Sequence, residues 1–393
     1  MRRSRPLISG AALALAPLAI VSTAAFAVPA PPADPSASQH SAVIGQNTLR
    51  SLAEEAGIEF GVAVNTDLLA NNGKYRNIVN TQYSSVTAEN VMKWEALNPA
   101  PGVYDWAAAD ALIANAEANG QVVRGHTLVW HNQLPTWLTT GTYSPEELRA
   151  ILENHVRTVA GHFAGDIQQW DVVNEIFNDD GTPRETIWYN AYKALAADPS
   201  TTWDDDLTYD PGLYYVADVF RWADEADPEA LLFYNDYNLE FTGPKSNAAY
   251  AFVQELLADD VPIHGVGFQG HLDTQYGFPD LQDNLERFAD LGLEVALTEV
   301  DVRTFVTQKP NGTYTNTPVD AAEGAEQVDY WVRTLEACLA VEACNSFTVW
   351  GVSDANSWIP GWSTGQGAGL IFDLHSNPKP QYEALREVLR NAI

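Results

Sequence analysis

Residues 167–175, Ile-Gln-Gln-Trp-Asp-Val-Val-Asn-Glu, form a short apolar run that stops on an amide and a carboxylate. Residues 294–301, EVALTEVD, repeat the pattern and stop on Glu299 and Asp301. Six further runs behave alike, giving Phe60–Val64, Tyr83–Val86, Gln121–Leu128, Ile167–Val173, Leu231–Tyr234, Gly265–Phe268, Glu294–Thr298 and Ser346–Val349 in all. Hydrogen-bonding or aromatic residues follow each: Asn65; Glu89 and Asn90; Trp130 and His131; Asn174 and Glu175; Asn235 and Asp236; Gln269 and His271; Glu299 and Asp301; Trp350. Amphipathic stretches lie between them, among them Pro145–Phe163, Gly212–Ala226, Ser246–Leu257 and Ala322–Ala337.

Short strands alternating with helices predict a parallel sheet with helical crossovers. The units recur about every 41 residues from Asn65 to Trp350, a length that suits a single-domain α/β (β/α)8 TIM barrel. In that fold every strand points its C-terminal end at one face, and the active site lies there. A doubly wound open sheet is the structural rival. It calls for a glycine-rich phosphate loop after the first strand, which FGVAVN (60–65) does not provide.

The ends of the chain read differently. Arg2, Arg3 and Arg5 precede an apolar stretch from Leu7 to Ala25, and Ala25-Phe26-Ala27 supplies a small-x-small cleavage pattern. Residues 1–27 therefore read as a signal peptide, 28–40 as a disordered Pro/Ala/Ser-rich leader and 41–393 as the catalytic domain of a secreted, extracellular protein. No later stretch has the ~20 apolar residues of a membrane span. The chain carries 52 acidic against 21 basic residues, a formal charge of -31. Such a surface repels nucleic acid and anionic lipid, which leaves a neutral substrate as the natural partner. Oligomeric state is open, with a monomer the default. Cys338 and Cys344, six residues apart in an exported protein, are expected to close a small disulfide loop; two free buried thiols are the alternative. Two sulfurs without clustered histidines do not complete a zinc site, so neither metal nor cofactor is expected.

Two strand-ending glutamates suit glycosidic bond cleavage, which needs one carboxyl to protonate the leaving oxygen and another to meet the oxocarbenium-like centre. Glu175 follows Asn174, an amide placed to hold a sugar 2-hydroxyl. Glu299 stands two residues before Asp301, so strand alternation aims both carboxylates the same way. His271, from the adjacent strand end, is expected to bridge them and keep Glu299 ionised. His126, inside an apolar strand, is expected to support the site by hydrogen bonding. Sugars present hydroxyls in their plane and C–H groups on their faces, so amides, imidazoles and tryptophans belong together in such a site. Trp106, Trp188, Trp222 and Trp331 read instead as packing residues.

The segments TAENVMKWE (87–95), RGHTLVWHNQLPTW (124–137), WDVVNE (170–175), FYNDYN (233–238), GVGFQGHL (265–272), LTEVDVR (297–303) and VWGVSDANSW (349–358) resemble the signature blocks of glycoside hydrolase family 10, the β-1,4-xylanases. The likeness runs from about Val43 to the C-terminus. It implies a (β/α)8 barrel, net retention, and cofactor-free endo-cleavage of xylan and xylo-oligosaccharides. Carried over by position, Glu175 matches the acid/base and Glu299 the nucleophile. Glu89, Asn90 and Lys93 match sugar-binding residues on the non-reducing side, and Trp130 and His131 those of the subsite where the intermediate forms. Asn174, Gln269 and His271 match the surroundings of the nucleophile, and Trp350 and Trp358 the aromatic pair over the glycone. Tyr237 matches a stacking residue on the leaving-group side, with Asn235 lining the same region.

Two stretches depart from the pattern: residues 196–211, with an acidic Asp204–Asp206 run read as a solvated turn, and a long loop at 304–320 containing an Asn311-Gly312-Thr313 sequon. A retaining β-1,4-glucanase is the nearest alternative activity. A non-catalytic polysaccharide-binding barrel is the alternative from another class; it would be expected to lack one carboxylate, and both are present.

Overall fold

The computed structural model describes residues 47–201 and 208–393; residues 1–46, on which the expected signal peptide and leader fall, and the Asp204–Asp206 run lie outside the described residues. In chain order the strands are β1 (Glu59–Val64), β2 (Ser85–Ala88), β3 (Val122–Val129), β4 (Gln169–Asn174), β5 (Leu231–Asp236), β6 (Gly265–Phe268), β7 (His271–Asp273), β8 (Glu294–Gln308), β9 (Tyr314–Pro318), β10 (Cys344–Val349) and β11 (Gln366–Gly367). β1 to β6, β8 and β10 pair in parallel in that order, and β10 also pairs with β1, so the sheet closes on itself. Helices occupy the crossovers, giving the (β/α)8 barrel that the alternating pattern predicts.

Local sequence explains the elements well. The helix Pro145–His162 starts on Ser144, whose hydroxyl accepts from Glu147 N while the Glu147 side chain accepts from Ser144 N; Pro145 takes the first turn, where its missing N–H costs nothing. Its buried residues Leu152, Val156, Val159 and Ala160 recur at helical spacing and pack toward the barrel. On the sheet, Gly125 of β3 pairs in register with Trp170 of β4. A Cβ at Gly125 would lie 2.2 Å from the Trp170 ring, so the glycine makes room for one of the largest buried side chains. Trp188, Trp222 and Trp331 are buried, and Trp106 stacks on His162 with ring centroids 3.9 Å apart.

Three expectations are corrected. The second barrel strand begins at Ser85 rather than Tyr83, whose ring is buried against Phe60 instead. The seventh run does not stop at Thr298: β8 continues for 15 residues and leaves the barrel. Beyond the barrel it pairs antiparallel with β9 and β11, so residues 304–318, read as loop, form a stranded arm. Its polar, threonine-rich sequence offers no apolar run to read, because its faces are largely exposed. Cys338 and Cys344 are disulfide-bonded, tying the end of the helix Ala321–Leu339 to the start of β10.

Candidate active site

The strand ends converge on a cleft of about 650 Å3. Glu89, Asn90, Lys93, Trp130, His131, Asn174, Glu175, Tyr237, Gln269, His271, Glu299, Trp350 and Trp358 all line it. The ends of seven barrel strands, of very different sequence, thus deliver one surface, because parallel strands share a common end; Asn65, after β1, does not line it.

Glu299, on β8, sits on the cleft floor and is only 4 % exposed. Asn235 Nδ2 donates to its Oε1 at 2.8 Å, and His271 Nε2 lies 3.3 Å from its Oε2. His271 Nδ1 in turn lies 3.1 Å from Asp301 Oδ2, which also accepts from Trp358 Nε1 at 2.7 Å. The expected Glu299–His271–Asp301 chain is therefore present as geometry. Beneath it His126 Nδ1 bonds Asp171 Oδ2 at 2.9 Å and lies 3.9 Å from Glu299 Oε1, and Asp171 is anchored by Arg124. Burial alone would push the Glu299 carboxyl up. The His126 ring and the hydrogen bond and charge of His271 outweigh it and hold the group below its ordinary value of 4.5. Burial lowers His271, but Asp301 and Glu299 reverse the sign and raise it to about 10. Such an arrangement keeps Glu299 ionised.

Glu175 is built differently. It follows the last residue of β4 with φ 59, a left-handed backbone that is rare outside glycine and asparagine and is found where a site over-determines it. Arg184 supplies the restraint: its Nε donates to the Glu175 carbonyl at 2.9 Å, while a terminal nitrogen reaches Tyr237 Oη at 3.1 Å. Gln269 Nε2 donates to Glu175 Oε1 at 3.2 Å, and His131 Nδ1 lies 3.8 Å from Oε2. Burial pushes the His131 ring down to about 4, with Arg184 and Lys245 acting the same way against Glu175, so the ring is neutral above that pH.

Three amides bridge the two acids. Asn235 Nδ2 and Gln269 Nε2 meet Asn174 Oδ1 at 3.0 and 3.1 Å. Since Glu299 and Glu175 each require an N–H, both flanking amides present nitrogen to this centre and Asn174 presents its oxygen. The swapped Asn174 amide would accept from Trp130 Nε1 at 3.2 Å but would set its own nitrogen against two others. Thr298 Oγ1 donates to Asn235 Oδ1 at 2.7 Å and fixes that amide. Asn235 is thus not on the leaving-group wall where it was expected: it is fully buried, behind Glu299. Gly267 leaves it that space, since a Cβ there would stand 2.3 Å from Asn235 Oδ1.

Lys93 Nζ donates to Asn90 Oδ1 at 3.2 Å and lies 4.9 Å from the Trp130 ring centre. Burial lowers the Lys93 ammonium while Glu299, Glu89 and Glu175 oppose it; burial raises Glu89, against Lys93. Sequence reasoning missed Arg184, Trp362 and Arg303. Trp362 is 66 % exposed and neighbours Trp358 with centroids 5.4 Å apart; the Arg303 guanidinium covers it at 5.0 Å. Arg184 comes from a loop, Trp362 from a one-turn helix and Arg303 from β8 beyond the stretch read as strand, and in none of these does a periodic signal mark the residue. For Trp362 the proximity in sequence to Trp358 was a usable hint.

Residues 48–388 match the family model described as "Glycosyl hydrolase family 10". The chain is 39% identical over 348 residues to Endo-1,4-beta-xylanase B of Thermotoga neapolitana, covering 88% of this chain and 92% of that protein. It is likewise 39% identical over 354 residues to Endo-1,4-beta-xylanase 5 of Pyricularia oryzae, covering 88% of this chain and 80% of the other. Among solved structures, xylanase 10B from Thermotoga petrophila in complex with xylobiose superposes with a TM-score of 0.77 at 38% identity, over 88% of this chain and 97% of that one. Barrel, cleft and paired glutamates agree with these likenesses: the chain belongs to glycosyl hydrolase family 10 and is a glycoside hydrolase.

Proposed function

We propose that the protein is a secreted endo-1,4-β-xylanase that hydrolyses internal xylosidic bonds with net retention. The observation that carries this reading is the asymmetry of the two acids within one cleft. Glu299 is buried and held ionised by His271 and His126, as a nucleophile must be. Glu175 faces it across the amide bridge with its side chain more open to the cleft. In the first step the Glu299 carboxylate attacks the anomeric carbon while the Glu175 carboxyl gives its proton to the departing glycosidic oxygen. In the second, Glu175, now a carboxylate, takes a proton from water, and the hydroxide oxygen displaces Glu299 with the original configuration restored. Asn174 is placed beside this centre for a sugar 2-hydroxyl. Xylan is favoured over glucan by the names of the relatives and by Trp358, pinned through its indole N–H to Asp301 over the glycone side. Secretion is supported by the signal-like residues 1–27.

Product analysis on xylan by proton NMR tests the reading: the β-anomer is expected first, mutarotating later. Early α-anomer, or faster release of sugar from carboxymethylcellulose than from xylan, overturns mechanism or substrate respectively. Glu175→Ala is expected to lose 10²–10⁴-fold on xylan, the usual contribution of general acid catalysis, yet little in the glycosylation step on aryl glycosides with good leaving groups.

A further inference from the structure

Outside the cleft, a pocket of about 310 Å3 opens between the loop after β2, the loop after β3 and the helix Pro145–His162. It shares no lining residue with the cleft. Its walls include Tyr104, Trp137, Tyr143, Ile151, Asn154 and His155. The volume stands at the lower end of the roughly 300–1,000 Å3 of small-molecule sites.

Three of those walls are half-buried aromatic rings held in place by their neighbours. Trp106 backs the Tyr104 ring, with centroids 4.8 Å apart and planes within 4° of parallel. Trp137 Nε1 donates to the Asn98 carbonyl at 2.9 Å, and Tyr143 Oη donates to the Trp137 carbonyl at 3.1 Å. The rings are thus fixed before any ligand arrives, which lowers the entropy cost of binding one.

His155 gives a second, independent sign of a ligand. It is 1 % exposed, and among the described residues neither of its ring nitrogens has a hydrogen-bond partner. One face of the ring is stacked on Trp94, with centroids 3.5 Å apart. Burial lowers the imidazole from 6.5 to about 3, against the Leu128 carbonyl, so at neutral pH it is uncharged and offers one donor and one acceptor. A buried polar group left unmet in this way calls for a partner from outside the fold.

No lining residue carries a carboxylate, ammonium or guanidinium, although the chain holds 52 acidic residues. A charged ligand would find no counter-ion here, and a purely apolar one would leave His155 unmet. A ring with C–H faces and hydroxyl edges matches the aromatic walls, the exposed Asn154 amide and the imidazole together.

Resting on the xylanase reading above, we propose that this pocket is a second, non-catalytic site that holds an uncharged sugar unit of the polysaccharide while the cleft cuts elsewhere along it. Two points of attachment to one polymer raise the effective concentration of substrate at the cleft, so the gain is confined to long chains.

Tyr104→Ala removes one platform. Ala150→Trp, on the exposed lip of the helix, plugs the pocket without removing any group that supports it. Both variants, first checked for a wild-type melting temperature, are compared with the wild type on insoluble xylan, on 4-nitrophenyl β-xylobioside, and by retardation in native gels containing soluble xylan. Each is expected to lose about 3–10-fold in initial rate on insoluble xylan, the scale of one aromatic contact, and to run ahead of the wild type in the xylan gel. The rate on the aryl substrate, which occupies one site at a time, should stay unchanged. If Tyr104→Ala fails to fold, Ala150→Trp decides. Unaltered migration and xylan rate in Ala150→Trp overturn the proposal, as does an equal loss on the aryl substrate, which would place the damage in the cleft. A wild type that neither binds nor cleaves xylan sinks the substrate reading and this inference with it; an active wild type with an unaltered Ala150→Trp sinks this inference alone.

Discussion

His271 binds its proton more tightly in the folded protein, at about 10, than in the unfolded chain near 6.5. The linked stability is fully present below about pH 6.5 and is lost as pH climbs through about 10. For His271→Asn, the melting-temperature deficit against wild type is expected to be largest below pH 6.5 and to narrow toward pH 10. A deficit that widens with pH would contradict the charged state assigned here. The same substitution removes one of the groups holding Glu299 below 4.5, so the acidic limb of kcat/KM should move to higher pH. At this scale the sequence was informative wherever a residue closes an apolar run. Glu175, Glu299, Asn174, His271 and Asn235 announce themselves by following strands, but that Asn235 acts from behind Glu299, and that Arg184 acts on a carbonyl from within a loop, leaves no trace in residue order.

At the level of elements, all eight barrel strands were legible because each carries a short run of buried apolar residues and a punctuated end, even where polar residues such as Arg124, His126 and Asp171 sit among them. The arm made by β8, β9 and β11 was not, since an exposed antiparallel pair needs no apolar run. β7 was also unread: it is three residues long and follows β6 after only two. The disulfide lies at the N-terminal end of β10, the barrel face away from the cleft. It closes a short loop, for which chain entropy predicts a contribution of about 2 kcal/mol. Removing both sulfurs with Cys338→Ala and Cys344→Ala should lower the denaturation midpoint accordingly while leaving kcat unchanged. A fall in kcat at temperatures where the variant is folded would show that the loop reaches the site after all.

Across the whole molecule, a formal charge of -31 is carried on a barrel whose proposed substrate has none. Electrostatic steering then has nothing to act on, and the ion pairs near the cleft are partly shielded from salt by burial. On linear xylo-oligosaccharides, kcat/KM is expected to vary less than about twofold between 20 mM and 500 mM NaCl. A steep salt dependence would mean that the field of the surface, and not only the shape of the groove, recruits the chain.

β8 is one unbroken strand that carries Glu299 inside the barrel and Arg303 at the rim of the cleft. Four residues of extended chain, at about 3.3 Å each, hold the buried carboxylate's backbone and that of Arg303 at a set separation of about 13 Å. Loops can sway, but a strand hydrogen-bonded on both sides keeps its length. That length acts as a spacer at the rim, and inserting two residues between those positions would carry Arg303 about 7 Å further from the reacting centre.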